Sequence, residues 1–309
     1  MDNNKFGAVV VIYNPDSNVE NNIIKLSEQV DQIVVVDNSD EKNGNHKILF
    51  GLFEEIGKKI SYIDNGSNLG IAEALNVGIE FLKREQIDYI LTFDQDSVIT
   101  PGYLKSIHAT FVDLSRKETI GVVGPNIVDV NSEKVGQKYL TTSSRWRFNF
   151  GELNFDRCDL GFVITSGSLF PVTIFDQVGL FKSEYFIDAV DIEYCLRLKV
   201  NGYRVGYSNE ARLSHSLGEK TTHTILRKNI ITSNHNFIRR YYVARNSIYI
   251  LKEYGFKYPF WFLFDLAVTV VNATRVVCFE KNRSIKVKYS VMGYWHGLKG
   301  ITGKLIERE

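Results

Sequence analysis

The chain is poor in cysteine, with only Cys158, Cys195 and Cys278 among 309 residues. No two of them form a C-x-x-C pair, so neither a disulfide framework nor a thiolate zinc site is expected, and they read as core or incidental thiols of a cytosolic protein. G-x-G-x-x-G and G-x-x-x-x-G-K-[ST] are both missing, which excludes a dinucleotide fingerprint and a P-loop. The opening MDNNKFG lacks a basic stretch followed by an apolar one, so secretion is not expected. Internal repeats and low-complexity tracts are absent. Hydrophobic and charged fractions of 44% and 24% are those of a globular chain and exclude disorder as the leading description. The net charge is only +1, but it is unevenly placed. Residues 1–220 carry 22 Lys/Arg against 31 Asp/Glu, and residues 221–309 carry 15 against 5. An acidic part suits a divalent cation, and a basic part suits anionic lipid or a phosphate-bearing substrate.

What the chain has is alternation. "FGAVVVIYNP" is an apolar run stopped by Asn14-Pro15, as in a strand buried on both faces. Val19, Ile23, Leu26 and Val30 then recur at helical spacing, and "QIVVVDNSD" is a second β-branched run. A helical stretch near Asn45 to Ile56, a strand "KISYID", a helix from about Ile71 to Lys83 and a strand "DYILTFD" continue the pattern. This predicts an α/β fold with a mostly parallel central sheet flanked by helices. Later segments, "IGVVGPNIV", "GFVITSGSLFPV" and "RVGYSNEARLSHS", read as further strands, and "VDIEYCLRLKVNGY" as a helix ending at Asn201-Gly202. In such sheets ligands bind outside the carboxyl ends of the strands. The polar tails "YNP", "DNSD", "DNGSNLG" and "DQDS" all fall at those ends.

Asp94 and Asp96 end a strand with one residue between them, a spacing that can share a hard cation such as Mn²⁺ or Mg²⁺ with substrate phosphates. Aspartates after strands also cap turns, so the pair alone does not decide the matter. Asp37, at the end of the second strand, can accept bonds from a base or ribose, or close an Asx turn. Gly66 and Gly70 precede a helix, where backbone N–H groups suit phosphate. Asp191 opens a helix beside Asp188 and Glu193; like charges and burial would raise a carboxylate's pKa toward that of a useful base, and the macrodipole would equally favour acids there.

Taken in order, "VVVIYNP", "VVVDNSD", "NLGIAEALNVGI", "LTFDQDS", "SGSLF" and "FIDAVDIEYCLRLKVNGYRV" resemble the family-2 glycosyltransferases of the GT-A fold over about residues 5–215. The later "YYVARNSIYILKEYG" and "GYWHGLKGITGK" resemble the bacterial dTDP-rhamnosyltransferase branch. The resemblance implies inverting transfer from a nucleoside-diphosphate sugar, dTDP-L-rhamnose, to a hydroxyl of a lipid-linked or growing cell-surface polysaccharide. It places Asp37, Asn68, Gly70, Asp94 and Gln95 at the donor, and Asp94, Asp96 and His215 at the metal. Asp191, six residues before Arg197, falls at the general base, although Val190 stands where the family has Glu. Ser166, Ser168, Asp188 and Arg245 are the candidates for the acceptor.

Two parts are expected: a catalytic domain over 1–220, divided near residue 125 into nucleotide-sugar and acceptor halves, and a basic, aromatic-rich helical region over 221–309. Within the latter, "YPFWFLFDLAVTVVNATRVVCF" carries Asp265, Thr269, Asn272 and Arg275 as one polar stripe on an otherwise apolar helix. Basic residues follow it. It fits a helix lying on a membrane surface, or one packed on the catalytic domain or on a second subunit of a homodimer. Arg239-Arg240 and Arg245-Asn246 could meet a diphosphate or lipid headgroup, and Trp146 and Trp261 a sugar or the core. No nucleic-acid partner is expected, and the expected location is the cytoplasmic face of the cell membrane. The competing function is a non-catalytic nucleotide-sugar or glycan-binding scaffold in a polysaccharide assembly complex. A nucleotidyl transferase would need a glycine-rich, lysine-bearing loop that this N-terminus lacks.

Overall fold

A computed structural model describes residues 4–16, 18–40, 57–129, 139–144, 147–151, 153–215, 221–225, 228–232 and 234–306. The helical stretch expected near Asn45 to Ile56, and Trp146, lie outside this set. The chain divides into two compact units. The first comprises Met1–Thr141, Asn149–Ser183 and Val190–Ser216, and the second Thr142–Phe148, Glu184–Ala189 and Leu217–Glu309.

The first unit is built on an eight-stranded sheet. Strands β1 (Phe6–Ile12), β2 (Gln32–Asp37), β3 (Ile60–Asp64) and β4 (Tyr89–Asp94) form its parallel half, in the order β3-β2-β1-β4. Their interiors are almost wholly buried, as continuous Val/Ile runs require when helices cover both faces. Helices α1 (Asn18–Ser27) and α2 (Ile71–Arg84) are crossovers of this half. Gly78 lets α2 lie close on the sheet, since a Cβ there would meet Val9 Cγ1 at 2.4 Å.

The sheet continues through β9 (Ser168–Pro171), β6 (Ile120–Asp129), β10 (Arg204–His215) and β5 (Val98–Ile99). Here it becomes mixed. β9 runs antiparallel to both β4 and β6, β10 is parallel to β6, and β5 is antiparallel to β10. Helix α3 (Tyr103–Ser115) packs against β6 and β10. Two two-stranded sheets, β7 (Tyr139–Ser144) with β8 (Arg147–Gly151) and β11 (Thr221–Ile225) with β12 (Lys228–Thr232), complete the strands of the described residues. Helices α4 (Thr173–Gln177) and α5 (Val190–Val200) belong to the first unit.

The second unit contains helices α6 (Phe237–Tyr254), α7 (Pro259–Phe279) and α8 (Arg283–Lys299). α6 and α8 pack along each other. Gly293 and Gly297 of α8 allow this approach, because a Cβ at Gly293 would lie 2.3 Å from the Tyr241 carbonyl oxygen and one at Gly297 2.7 Å from that of Arg245.

Candidate active site

Parallel register places the acids in a row. Asp37 is opposite both Ile12 and Asp64, and Asp94 is opposite Val11. Asp37 and Asp94 therefore flank the same end of β1, about two strand spacings or roughly 10 Å apart along the sheet. This is the carboxyl edge at which open α/β sheets bind ligands.

Asp37 is 2% exposed. Its Oδ1 accepts from Ser39 N at 2.9 Å and its Oδ2 from Tyr62 Oη at 2.7 Å. Burial, reinforced by the adjacent Asp37 charge, pushes the Tyr62 phenol far above its ordinary pKa, so it stays a donor. Asn38 ties the neighbouring turn together. Its Oδ1 accepts from Asn65 Nδ2 at 3.2 Å and Leu69 N at 3.0 Å, while its Nδ2 donates to Asn68 Oδ1 at 3.1 Å.

Gly70 N also donates to Asn68 Oδ1, at 3.0 Å, and Gly66 N donates to Asp64 Oδ1 at 2.7 Å. Thus the amides of Gly66 and Gly70, which the sequence offered to a phosphate, are taken by Asp64 and Asn68, and that of Leu69 by Asn38. Their amides hold the turn, and the two glycines supply its left-handed backbone (φ 68° and 87°).

At the end of β4, Asp94 is half-buried and Asp96 exposed. The Asp94 amide donates to Ser166 Oγ at 3.1 Å, and Ser166 and Ser97 share a 2.5 Å hydroxyl contact. Gly167 makes this possible. Its φ is 78°, and a Cβ would lie 2.6 Å from the Tyr103 hydroxyl. Gln95 Oε1 accepts from Tyr13 N at 2.8 Å, and its carbonyl accepts from Asn22 Nδ2 at 3.0 Å, linking the Asp94–Asp96 turn to β1 and α1.

His215 ends β10, and its side chain lies outside the described set. The ladder pairs Ser214 with Val98, so one further step brings the His215 backbone level with Ser97, next to Asp96. Among the described residues no group of three His, Cys, Asp or Glu side chains forms a closed cage. Two carboxylates alone are nevertheless the oxygen-donor set that a hard cation uses when substrate phosphates complete its shell.

Asp191 sits half-buried in the first turn of α5, and its Oδ1 accepts from Ile192 N at 2.8 Å. Glu193, two residues on, is not a second open acid. It is buried and held by both forks of Arg197, at 3.0 and 2.9 Å, and by Lys182 at 3.3 Å. Arg197 also donates to the Val178 and Leu180 carbonyls. Burial pushes the nearby Cys195 thiol up to about 12, which makes it unreactive at neutral pH.

Two of the acceptor candidates, Ser166 and Ser168, belong to the first unit, and two, Asp188 and Arg245, to the second. Ser166 shapes the Asp94 turn from a buried position. Ser168 is fully buried, and its hydroxyl donates to Ile164 O at 2.6 Å. Arg245 is 0% exposed. Within the second unit it donates to the carbonyls of Gly303, Glu184 and Tyr185 and to Asn246 Oδ1, with its guanidinium 4.8 Å from the Tyr242 ring centre. Ser168 and Arg245 are thus structural groups, which corrects their assignment to an acceptor. Asp188, in the same unit, has φ 63° and pairs with Arg239 at 3.0 Å. Burial raises its pKa despite that arginine. Tyr62 and Ser97 are site residues that no motif marks, although Ser97 lies in the polar tail "DQDS" at its strand end.

The sheet order, the row of acids at its carboxyl edge and the acid-led α5 define an α/β fold with its candidate site at the strand ends. The glycosyl transferase family 2 model matches residues 8–179, and the chain belongs to that family; it is a glycosyltransferase. It is 28% identical to dTDP-rhamnosyl transferase RfbF of Shigella flexneri, over 97% of this chain and 98% of that protein. Among solved structures it resembles S. aureus TarS 1–349 in complex with UDP-GlcNAc (TM-score 0.60, 14% identity, 95% of this chain and 81% of that one). It spans 44% of a longer TarS chain. It also resembles the mannosyltransferase PcManGT of Pyrobaculum calidifontis in complex with GDP-Man and Mn²⁺ (TM-score 0.55, 13% identity, 96% and 88%). These structural likenesses establish a GT-A-type fold.

Proposed function

We propose that the enzyme moves L-rhamnose from dTDP-L-rhamnose to a hydroxyl of a lipid-linked or growing cell-surface glycan, with inversion at the anomeric carbon. The observation that carries the donor is the near full-length relation to dTDP-rhamnosyl transferase RfbF. In an inverting displacement the acceptor oxygen attacks from the face opposite the diphosphate and must lose its proton as it does so. Asp191 takes that proton, oriented by the bond from Ile192 N.

Asp37 meets the nucleotide, as the acid that ends β2 at the carboxyl edge of the sheet. Asn68 and Gln95 act through the turns they hold. Asp94 and Asp96, with His215 as third donor, would hold Mn²⁺ or Mg²⁺, and the ion would there supply neutralisation of negative charge on a diphosphate leaving group. The donor set of two adjacent carboxylates at the sheet edge supports this assignment, as does Mn²⁺ in the similarly folded PcManGT. A lipid-anchored acceptor places the reaction at the inner face of the membrane.

Turnover of dTDP-L-rhamnose with a rhamnose-accepting lipid-linked glycan tests the roles. Asp191→Asn is expected to lower kcat by about 10²–10⁴ with little change in donor KM. Asp96→Ala is expected to raise donor KM and abolish the dependence on added Mn²⁺. Unchanged turnover in both variants overturns the assignment, and preference for UDP-GlcNAc or GDP-mannose overturns the donor.

A further inference from the structure

Helix α7 is turned inside out with respect to water. Its polar residues Asp265, Thr269, Asn272 and Arg275 are all half-buried, on the side that also carries the buried Trp261 and Val276. Thr269 is hydrogen-bonded to Tyr294 of α8, and the Asp265 charge acts on the same phenol. The opposite side is Leu263, Leu266, Ala267, Val270, Val271, Ala273, and near its end Val277 and Cys278, all exposed; the one hydroxyl among them, that of exposed Thr274, is turned back to the Val270 carbonyl at 2.9 Å. Leu263 is 54% and Val270 57% exposed. At 100° per residue these positions form one face, which runs the length of a 21-residue helix, about 30 Å. A continuous apolar face of that length on a monomer marks an interaction surface.

The ends of the helix identify what covers it. Lys257 precedes it, and Lys281 and Arg283 follow it, all exposed. The nearby acid Glu280 does not offset them, because it is buried between Arg240, at 2.7 Å, and Lys286, at 2.8 Å. A second copy laid on this face would bring cations against cations in either orientation, since both ends are basic. An anionic lipid surface meets both ends with opposite charge. A membrane-crossing placement would instead need the polar, protein-packed side to face lipid.

We infer that α7 is an in-plane membrane helix, with its apolar face immersed in an anionic bilayer and Lys257, Lys281 and Arg283 at the headgroups. This goes beyond the transfer reaction and is independent of the donor assignment. The full chain is expected to co-sediment with phosphatidylcholine vesicles containing about one quarter phosphatidylglycerol, more weakly with phosphatidylcholine alone, and less at high salt. Leu266→Glu with Val270→Glu should weaken binding by at least about tenfold, and Lys281→Glu with Arg283→Glu should remove the preference for the anionic lipid.

Cys278 provides a reading that needs no folding-sensitive change. An environment-sensitive fluorophore on this exposed thiol should shift to the blue when vesicles are added. No co-sedimentation and no shift overturn the inference. So does a homodimer that is lost in the Leu266→Glu, Val270→Glu chain while vesicles go unbound, which would assign the face to a second copy.

Discussion

Arg197 shows how one side chain serves two levels. Its spacing from Asp191 pointed to the base, yet its own contacts are structural: both oxygens of Glu193, two carbonyls of the preceding loop, and the Tyr194 ring at 4.8 Å. Removing one partner of a buried pair leaves an uncompensated charge, which typically costs 3–5 kcal/mol. Lys182 still reaches Glu193, so Arg197→Ala is expected to lose about 3 kcal/mol in urea unfolding. Arg197→Lys should recover only part, because an ammonium cannot span two carboxylate oxygens and two carbonyls at once. Full recovery by lysine would refute the bidentate tie. At this scale the sequence exposed the acids, because each interrupts an apolar run or opens a helix. It did not expose their partners. Tyr62 is 25 residues from Asp37 and Ser166 is 72 from Asp94, and only pairing of distant strands brings them together.

Among the elements, α7 was legible as a helix from its length and its four polar positions, but periodicity fixes only which residues share a face. Which face meets protein depended on α8, through Tyr294. One consequence is electrostatic. Burial raises Asp265 from 3.8 to about 6. A raised carboxyl pKa means that the folded state holds the proton more tightly than the unfolded one. The penalty is therefore absent below about pH 4, grows between pH 4 and 6, and is complete above pH 6. It amounts to roughly 2–3 kcal/mol. Asp265→Asn is expected to raise Tm at pH 8 and leave it nearly unchanged at pH 4; equal shifts at both would mean that the gain is not electrostatic. Strand β9 makes a similar point. A four-residue strand reads the same in either direction, and only the pairing shows β9 inserted antiparallel between β4 and β6 in a sheet whose other long strands all run one way, as expected of a mostly parallel sheet.

For the molecule as a whole, donor binding should register as stability, because a ligand that binds only the folded state adds RT ln(1 + [L]/Kd). With dTDP at about 100 times its Kd and Mn²⁺ present, the gain is about 2.7 kcal/mol, several degrees in Tm for a chain of this size. Chelating the metal with EDTA should remove most of that shift, whereas a shift that persists in EDTA would show that nucleotide binding does not need an ion at Asp94 and Asp96. The sequence alone determined the alternation of strands and helices, the carboxyl edge where the acids gather, and the acidic and basic partition of the chain. Those follow from local properties: run length, spacing and side-chain charge. Only the tertiary structure decided that Gly66, Leu69 and Gly70 direct their amides inward, that Arg245 is a buried clamp, and that α7 turns its polar stripe toward protein. Each of those outcomes depends on segments far apart in the chain meeting, and their packing decides which polar groups find protein partners and which remain at the surface.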